Sequence, residues 1–130
     1  MSLSIGLLAK ASDVKVPTIR FYEEIGLLPQ ARRAANDRRI YDQDAVRRLA
    51  FIRHARQLGF SVDAIRDLLD LSDNPDRNCG EANRLAAQQL HDVESKIAQL
   101  EGLRDELVRM VDAACNGQAG DCRVIEALAG

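Results

Sequence analysis

Three cysteines are the residues of this 130-residue chain best equipped to bind an ion or to react: Cys79, Cys115 and Cys122. Cys115 and Cys122 bracket the loop NGQAGD, whose glycines let the backbone curl around an ion, and Cys79 lies 36 positions before Cys115. In a reducing compartment structural disulfides are disfavoured, so the thiols read as metal ligands, as redox-active groups, or as small hydrophobes. Three thiolates select soft ions (mercury, lead, cadmium, zinc or monovalent copper) over magnesium or calcium. A trigonal set suits mercury and lead. Zinc and cadmium prefer four ligands, and Asp112, Asp121, His91 or water are available for the fourth place.

The elements that must hold these thiols can be read from hydrophobic spacing. Ala86, Leu90, Val93, Ile97 and Leu100 advance by 4, 3, 4 and 3, and after Arg104 the pattern resumes at Leu107 and Val111. That is a heptad seam on one long helix, opened by an Asn78-x-x-Glu81 arrangement similar to a capping box. Asn116-Gly117 stops it, and a short turn of helix over 123–129 follows. So long a helix cannot fold back on itself within this chain. A partner helix is therefore expected: a homodimer with Leu90, Val93, Ile97, Leu100 and Leu107 in the interface. A continuous helix separates Cys79 from Cys115 by roughly 54 Å at a rise of about 1.5 Å per residue. If two such helices pair antiparallel, Cys79 of one subunit meets Cys115 and Cys122 of its mate, twice per dimer.

The front of the chain is built differently. Residues 1–60 carry 11 Lys/Arg against 6 Asp/Glu, and residues 61–130 carry 7 against 14. The basic front implies an anionic partner for that half alone. Aromatics make up 4% of the chain, too few for stacking on single strands, so duplex DNA is the better fit. Ser4 caps a helix with Ile5, Leu8 and Ala9 on one face; Pro17 begins a second that stops at Gly26. Two short helices joined by a tight break make a helix-turn-helix geometry. From Leu27 to Tyr41 the helical period disappears, and Pro29, several arginines and Asn36-Asp37 predict a short basic β-hairpin. Asp42 caps a third helix with Val46, Leu49, Ala50, Arg53 and Gln57 at helical spacing; Ser61 caps a fourth with Val62, Ile65, Leu68 and Leu69. The run SDNPDRN reads as a linker. Expected boundaries are a DNA-binding domain over 1–71, a linker over 72–77, a dimerisation helix over 78–114 and a metal-binding loop with a last short helix over 115–130. No apolar run reaches the roughly 18 residues that span a bilayer and no secretion leader is evident, so the expected location is cytoplasmic, without membrane contact. No coherent nucleophile–base pair or phosphate loop suggests an enzyme. His54 reads as a surface or packing residue, His91 as a solvated or interfacial one, and Glu23, Glu24 and Asp63 as surface charges.

Taken together, TIRFYEEIGLLP (18–29), RRIY (38–41) and FIRHARQLGFSVDAIRDLL (51–69) resemble the MerR family of winged-helix regulators, and the likeness continues through the long helix and the C-x6-C loop. The resemblance implies a mainly α fold: a winged helix-turn-helix with a β-hairpin wing, then an antiparallel coiled-coil dimerisation helix and a C-terminal metal-binding loop. It implies a homodimer on double-stranded promoter DNA that, when its effector binds, bends and untwists the spacer so that RNA polymerase can start. It places Arg20 and Tyr22 of the second helix, with Lys15 and Thr18 near its start, against DNA, together with Arg33, Arg39 and Tyr41 of the wing. Where the family wing has a glycine followed by an aromatic, this chain has Asp37 and Arg38; Asp tolerates a left-handed turn. Copper-sensing relatives carry Ser at the position of Cys79, so a Cys there implies a soft divalent ion: cadmium, lead, zinc or mercury. Zinc sensors have a second Cys where Ala114 stands and a loop histidine that is absent here; mercury sensors have a longer loop. The short loop favours cadmium or lead. A thiol redox or electrophile sensor on the same scaffold is the alternative.

Overall fold

The computed structural model describes residues 2–113 and 117–130. Among the described residues, six α-helices and one two-stranded hairpin follow in the order α1 (Ile5–Ser12), α2 (Val16–Glu24), β1 (Arg32–Arg33), β2 (Arg39–Ile40), α3 (Gln43–Gln57), α4 (Val62–Asp73), α5 (Gly80–Asp112) and, after a 3-10 turn (Ala119–Asp121), α6 (Arg123–Ala129). The chain divides into two compact units, 1–85 and 86–130.

Side-chain caps start three helices of the first unit. The Ser4 hydroxyl accepts from the Leu7 amide at 3.2 Å, Asp42 from Ala45 at 3.2 Å, and Ser61 from Ala64 at 3.1 Å. Each satisfies an amide that has no intrahelical partner, typically worth about 1 kcal/mol. Pro17 lies in the first turn of α2, where its missing amide costs nothing. α2 ends at Glu24 with Ile25 as its C-cap, and the chain turns away at Gly26, whose φ of 80° lies in the left-handed region. The carbonyls left over at this end are taken by arginines from elsewhere. Arg66 Nη2 of α4 donates to Ile25 O at 2.7 Å, and Arg48 Nε of α3 donates to Leu27 O at 2.7 Å. Arg48 also reaches Asp73 at 3.0 Å, tying the end of α4 to the turn after α2.

One core closes the unit. Leu8, Ile19, Leu27, Leu28, Leu49, Ile52 and Ile65 are fully buried, with Val14, Phe60 and Leu69 beside them. On α3 the buried positions are Leu49, Ile52 and Ala55; of the stripe that spacing suggests, Leu49 is buried, Val46, Ala50 and Arg53 are half-buried, and Gln57 is exposed. α3 packs against both α1 and α4, so its buried face is rotated to serve two neighbours. α4 runs two residues into the run read as a linker, and Leu85 on α5 still packs against this core.

The hairpin pairs Arg32 with Ile40 and Arg33 with Arg39, antiparallel. Asp37 takes φ 64° at its turn, the left-handed conformation expected of it. The carbonyl of Asp37 accepts from Arg33 Nη1 at 2.9 Å. A further bridge was not evident from sequence: Leu3 and Tyr41 exchange backbone hydrogen bonds of 2.7 and 2.8 Å, fastening the hairpin base to the segment before α1.

α5 is continuous over 33 residues, about 50 Å at the usual helical rise. None of its residues is buried within the chain. Leu90, Val93, Ile97, Leu100 and Leu107 stand exposed along it, Leu100 at 64% and Val93 at 37%. Among the described residues no helix is long and apolar enough to cross a membrane.

Candidate nucleic-acid interface and metal centre

α2 and the hairpin present the basic residues. Lys15 stands exposed at the N-cap position of α2, Arg20 is exposed farther along, and Thr18 is half-buried between them. Arg20 and Arg39 border a cleft of about 340 Å³ between α2 and the hairpin, which Glu23, Glu24, Gln30 and Ile5 complete. Arg33 and Arg39 are exposed on the two strands. Exposed arginines are suited to phosphate contacts, which supply affinity and register while base edges supply choice.

Two expectations about individual residues fail here. Glu23 is not a surface charge: its side chain is 5% exposed. Tyr41, expected to touch DNA, is 6% exposed and belongs to the core. The two meet. The Tyr41 hydroxyl donates a short hydrogen bond to Glu23 Oε1. Glu23 also accepts from the Ala31 amide at 3.3 Å and lies 4.0 Å from Arg39 Nη1. A tyrosine so enclosed holds the hairpin instead of reaching past it. Tyr22 is half-buried against the core, its ring 6.1 Å from that of the more exposed Phe21. One signal could have found Glu23: it stands four residues after the buried Ile19, one turn farther along the same face.

Burial, and next the adjacent carboxylate of Glu23, push the Tyr41 phenol up to about 12 from the usual value of about 10. The folded state therefore holds this proton more tightly than the unfolded one. Its contribution is complete below pH 10 and is lost as pH rises through about 12, on the order of 2 kcal/mol. Thermal melts between pH 9 and 11.5 should show wild type losing more stability than Tyr41→Phe. Parallel losses would show that another group governs alkaline unfolding.

The cysteines divide between the ends of α5. Cys79 is exposed and immediately precedes the helix; its carbonyl accepts from the Asn83 amide at 3.0 Å, the first bond of the helical ladder. The Asn78 side chain accepts from the Gly80 amide at 2.6 Å. Glu81 is held by Arg77 at 3.0 Å, and Arg77 also grips Asp70 of α4 at 2.8 Å, so the backbone around Cys79 is braced on both sides. Cys122 is a half-buried free thiol between the 3-10 turn and α6. Cys115 lies outside the described residues. His54 and His91 are exposed. Among the described residues no three His, Cys, Asp or Glu side chains of one chain converge. The donor set itself, unpaired thiols with a braced backbone at one of them, suits a soft divalent ion.

Comparison with known proteins agrees with this architecture. Residues 3–72 match the family model described as MerR HTH family regulatory protein, and residues 46–110 match that described as MerR, DNA binding. The HTH-type transcriptional regulator ZntR of Escherichia coli is 39% identical over 127 residues, spanning 95% of this chain and 90% of that protein. The mercuric resistance operon regulatory protein of Serratia marcescens is 40% identical over 131 residues, 99% and 89% of the two chains. The crystal structure of the transcription regulator PbrR691 from Ralstonia metallidurans, in complex with lead(II), superposes with a TM-score of 0.85 at 36% identity, covering 97% of this chain and 98% of that one. The chain therefore belongs to the MerR family of DNA-binding transcriptional regulators, in its metal-responsive branch.

Proposed function

We propose that this homodimer activates transcription when a soft divalent ion, cadmium or lead in preference to zinc or mercury, binds Cys79 of one subunit together with Cys115 and Cys122 of the other. The observation that carries the reading is the exposed Cys79 thiol at the start of a continuous 33-residue helix whose apolar stripe is uncovered, with Cys122 following its far end. An antiparallel pair of such helices covers the stripe and joins early and late thiols in one step. The bound ion supplies strong thiolate bonds that cross the interface. The protein's residues do the remainder. Lys15, Thr18, Arg20 and the exposed edge of Tyr22 meet one groove, and Arg33 and Arg39 hold the backbone beside it. Bending a site of this size costs about 1–6 kcal/mol, so the ion must favour the bent complex by a comparable amount, and DNA of the bent form must raise affinity for the ion in return.

Run-off transcription with purified protein, RNA polymerase and the promoter isolated by the protein tests this. Cadmium or lead at micromolar concentration should raise transcript yield at least tenfold, with zinc and mercury weaker. Activation by an oxidant and none by any of the four ions would replace the metal reading with a thiol redox sensor.

A further inference from the structure

The DNA-facing cleft between α2 and the hairpin contains an acid where a basic floor would serve phosphate better. Glu23 is buried there, and a buried carboxylate is costly unless its partners satisfy it. Its partners come from three places on the hairpin: the Ala31 amide just before β1, Arg39 within β2, and the Tyr41 hydroxyl just after β2. One carboxylate of α2 therefore holds both legs of the wing. The hairpin has few other anchors. Each strand is two residues long, and its base is also held by the Leu3–Tyr41 bridge to the segment before α1 and by the packing of Ala31 and Tyr41 on the core. An apolar pair of similar shape would fill the same space without desolvating a charge, so packing alone does not account for Glu23.

We infer that Glu23 is a positioning residue for DNA binding: through Tyr41, Arg39 and the Ala31 amide it fixes where the wing stands relative to α2, and so the spacing of the wing arginines from Arg20. The inference rests on the reading that Arg33 reaches DNA. It predicts coupling between Glu23 and the wing but none between Glu23 and α2.

The test is a mutant cycle on the full-length dimer. The probe is a fluorescent duplex selected by the wild-type protein from a random library, titrated over a range of salt. Arg33→Ala and Arg20→Ala are each made in wild type and in Glu23→Gln. In wild type each should weaken binding about tenfold per dimer. In Glu23→Gln the Arg33→Ala penalty should shrink to under threefold while the Arg20→Ala penalty stays. Glu23→Gln alone should lower the salt slope by about 1 for each phosphate that the wing no longer reaches. Undiminished penalties for both arginines in Glu23→Gln would overturn the inference, as would equal shrinkage of both with the helical signal retained. Tyr41→Phe removes one hydroxyl and repeats the cycle should Glu23→Gln fail to fold. If Arg33→Ala costs nothing in wild type, the wing reading itself is wrong and the inference goes with it, an outcome distinct from the others.

Discussion

Mixing Cys79→Ser subunits with Cys122→Ser subunits should restore metal binding that neither variant shows alone. A Cys79→Ser homodimer keeps both late thiols in each subunit but lacks the early one at both sites; a Cys122→Ser homodimer lacks a late thiol at both. In a heterodimer, the intact Cys79 of the second subunit meets the intact Cys115 and Cys122 of the first, and one complete site forms. Random exchange makes about half the dimers heterodimers, so about a quarter of wild-type sites should return. Each homodimer should bind its ion roughly 100- to 1,000-fold more weakly, because a four-ligand thiolate or imidazole site contributes about 10–16 kcal/mol and one ligand carries a share of it. Cadmium–thiolate charge-transfer absorbance reads the result directly. No recovery on mixing, with subunit exchange verified by mass, would require each site to lie within a single chain.

That experiment addresses what could be seen in the sequence by length alone. The separation of Cys79 from the later cysteines follows from an uninterrupted apolar repeat. The structure shows α5 unbroken from Gly80 to Asp112. Caps were equally legible, since Ser4, Asp42 and Ser61 each precede a periodic segment and need only local geometry. Tertiary relations were not. Glu23 and Tyr41 are 18 residues apart across a hairpin with two-residue strands, and no period connects them. A glutamate in the middle of FYEE reads as solvated until the wing is seen folded over it. On α3 spacing finds Leu49 but not Ile52 or Ala55 for a related reason: a helix with neighbours on two sides buries a face that no single amphipathic pattern describes. The Leu3–Tyr41 bridge joins chain segments too short to announce themselves as strands.

A single charge at the centre of α5, Ile97→Asp, should convert the protein to monomers and remove tight DNA binding. Ile97 lies midway between Cys79 and Cys115, so an antiparallel pairing that joins those cysteines places Ile97 beside its own copy on the two-fold axis. The same pairing brings Leu100 to within one position of the partner helix's Val93, Leu107 to within one of Ala86, and Leu90 to within one of Leu103. These side chains are exposed in the single chain, Leu90 at 59% and Leu107 at 59%, and must be covered. Replacing Ile97 forfeits roughly 1.5–3 kcal/mol of apolar burial in each subunit. It also brings two carboxylates together in an apolar seam, where isolated charges cost several kcal/mol each. The dimer dissociation constant should therefore rise at least about 1,000-fold, the equivalent of roughly 4 kcal/mol. DNA affinity should fall with it, since a monomer engages one half-site and gives up the linkage between two. Ser95→Asp carries the same charge two residues away on the outer face of the helix and should leave both properties within about threefold, as surface substitutions do. Sedimentation velocity at micromolar protein separates the two variants. An Ile97→Asp protein that still sediments as a dimer would mean the apolar stripe of α5 is covered in some other way, and that the cysteines at its ends do not meet across it.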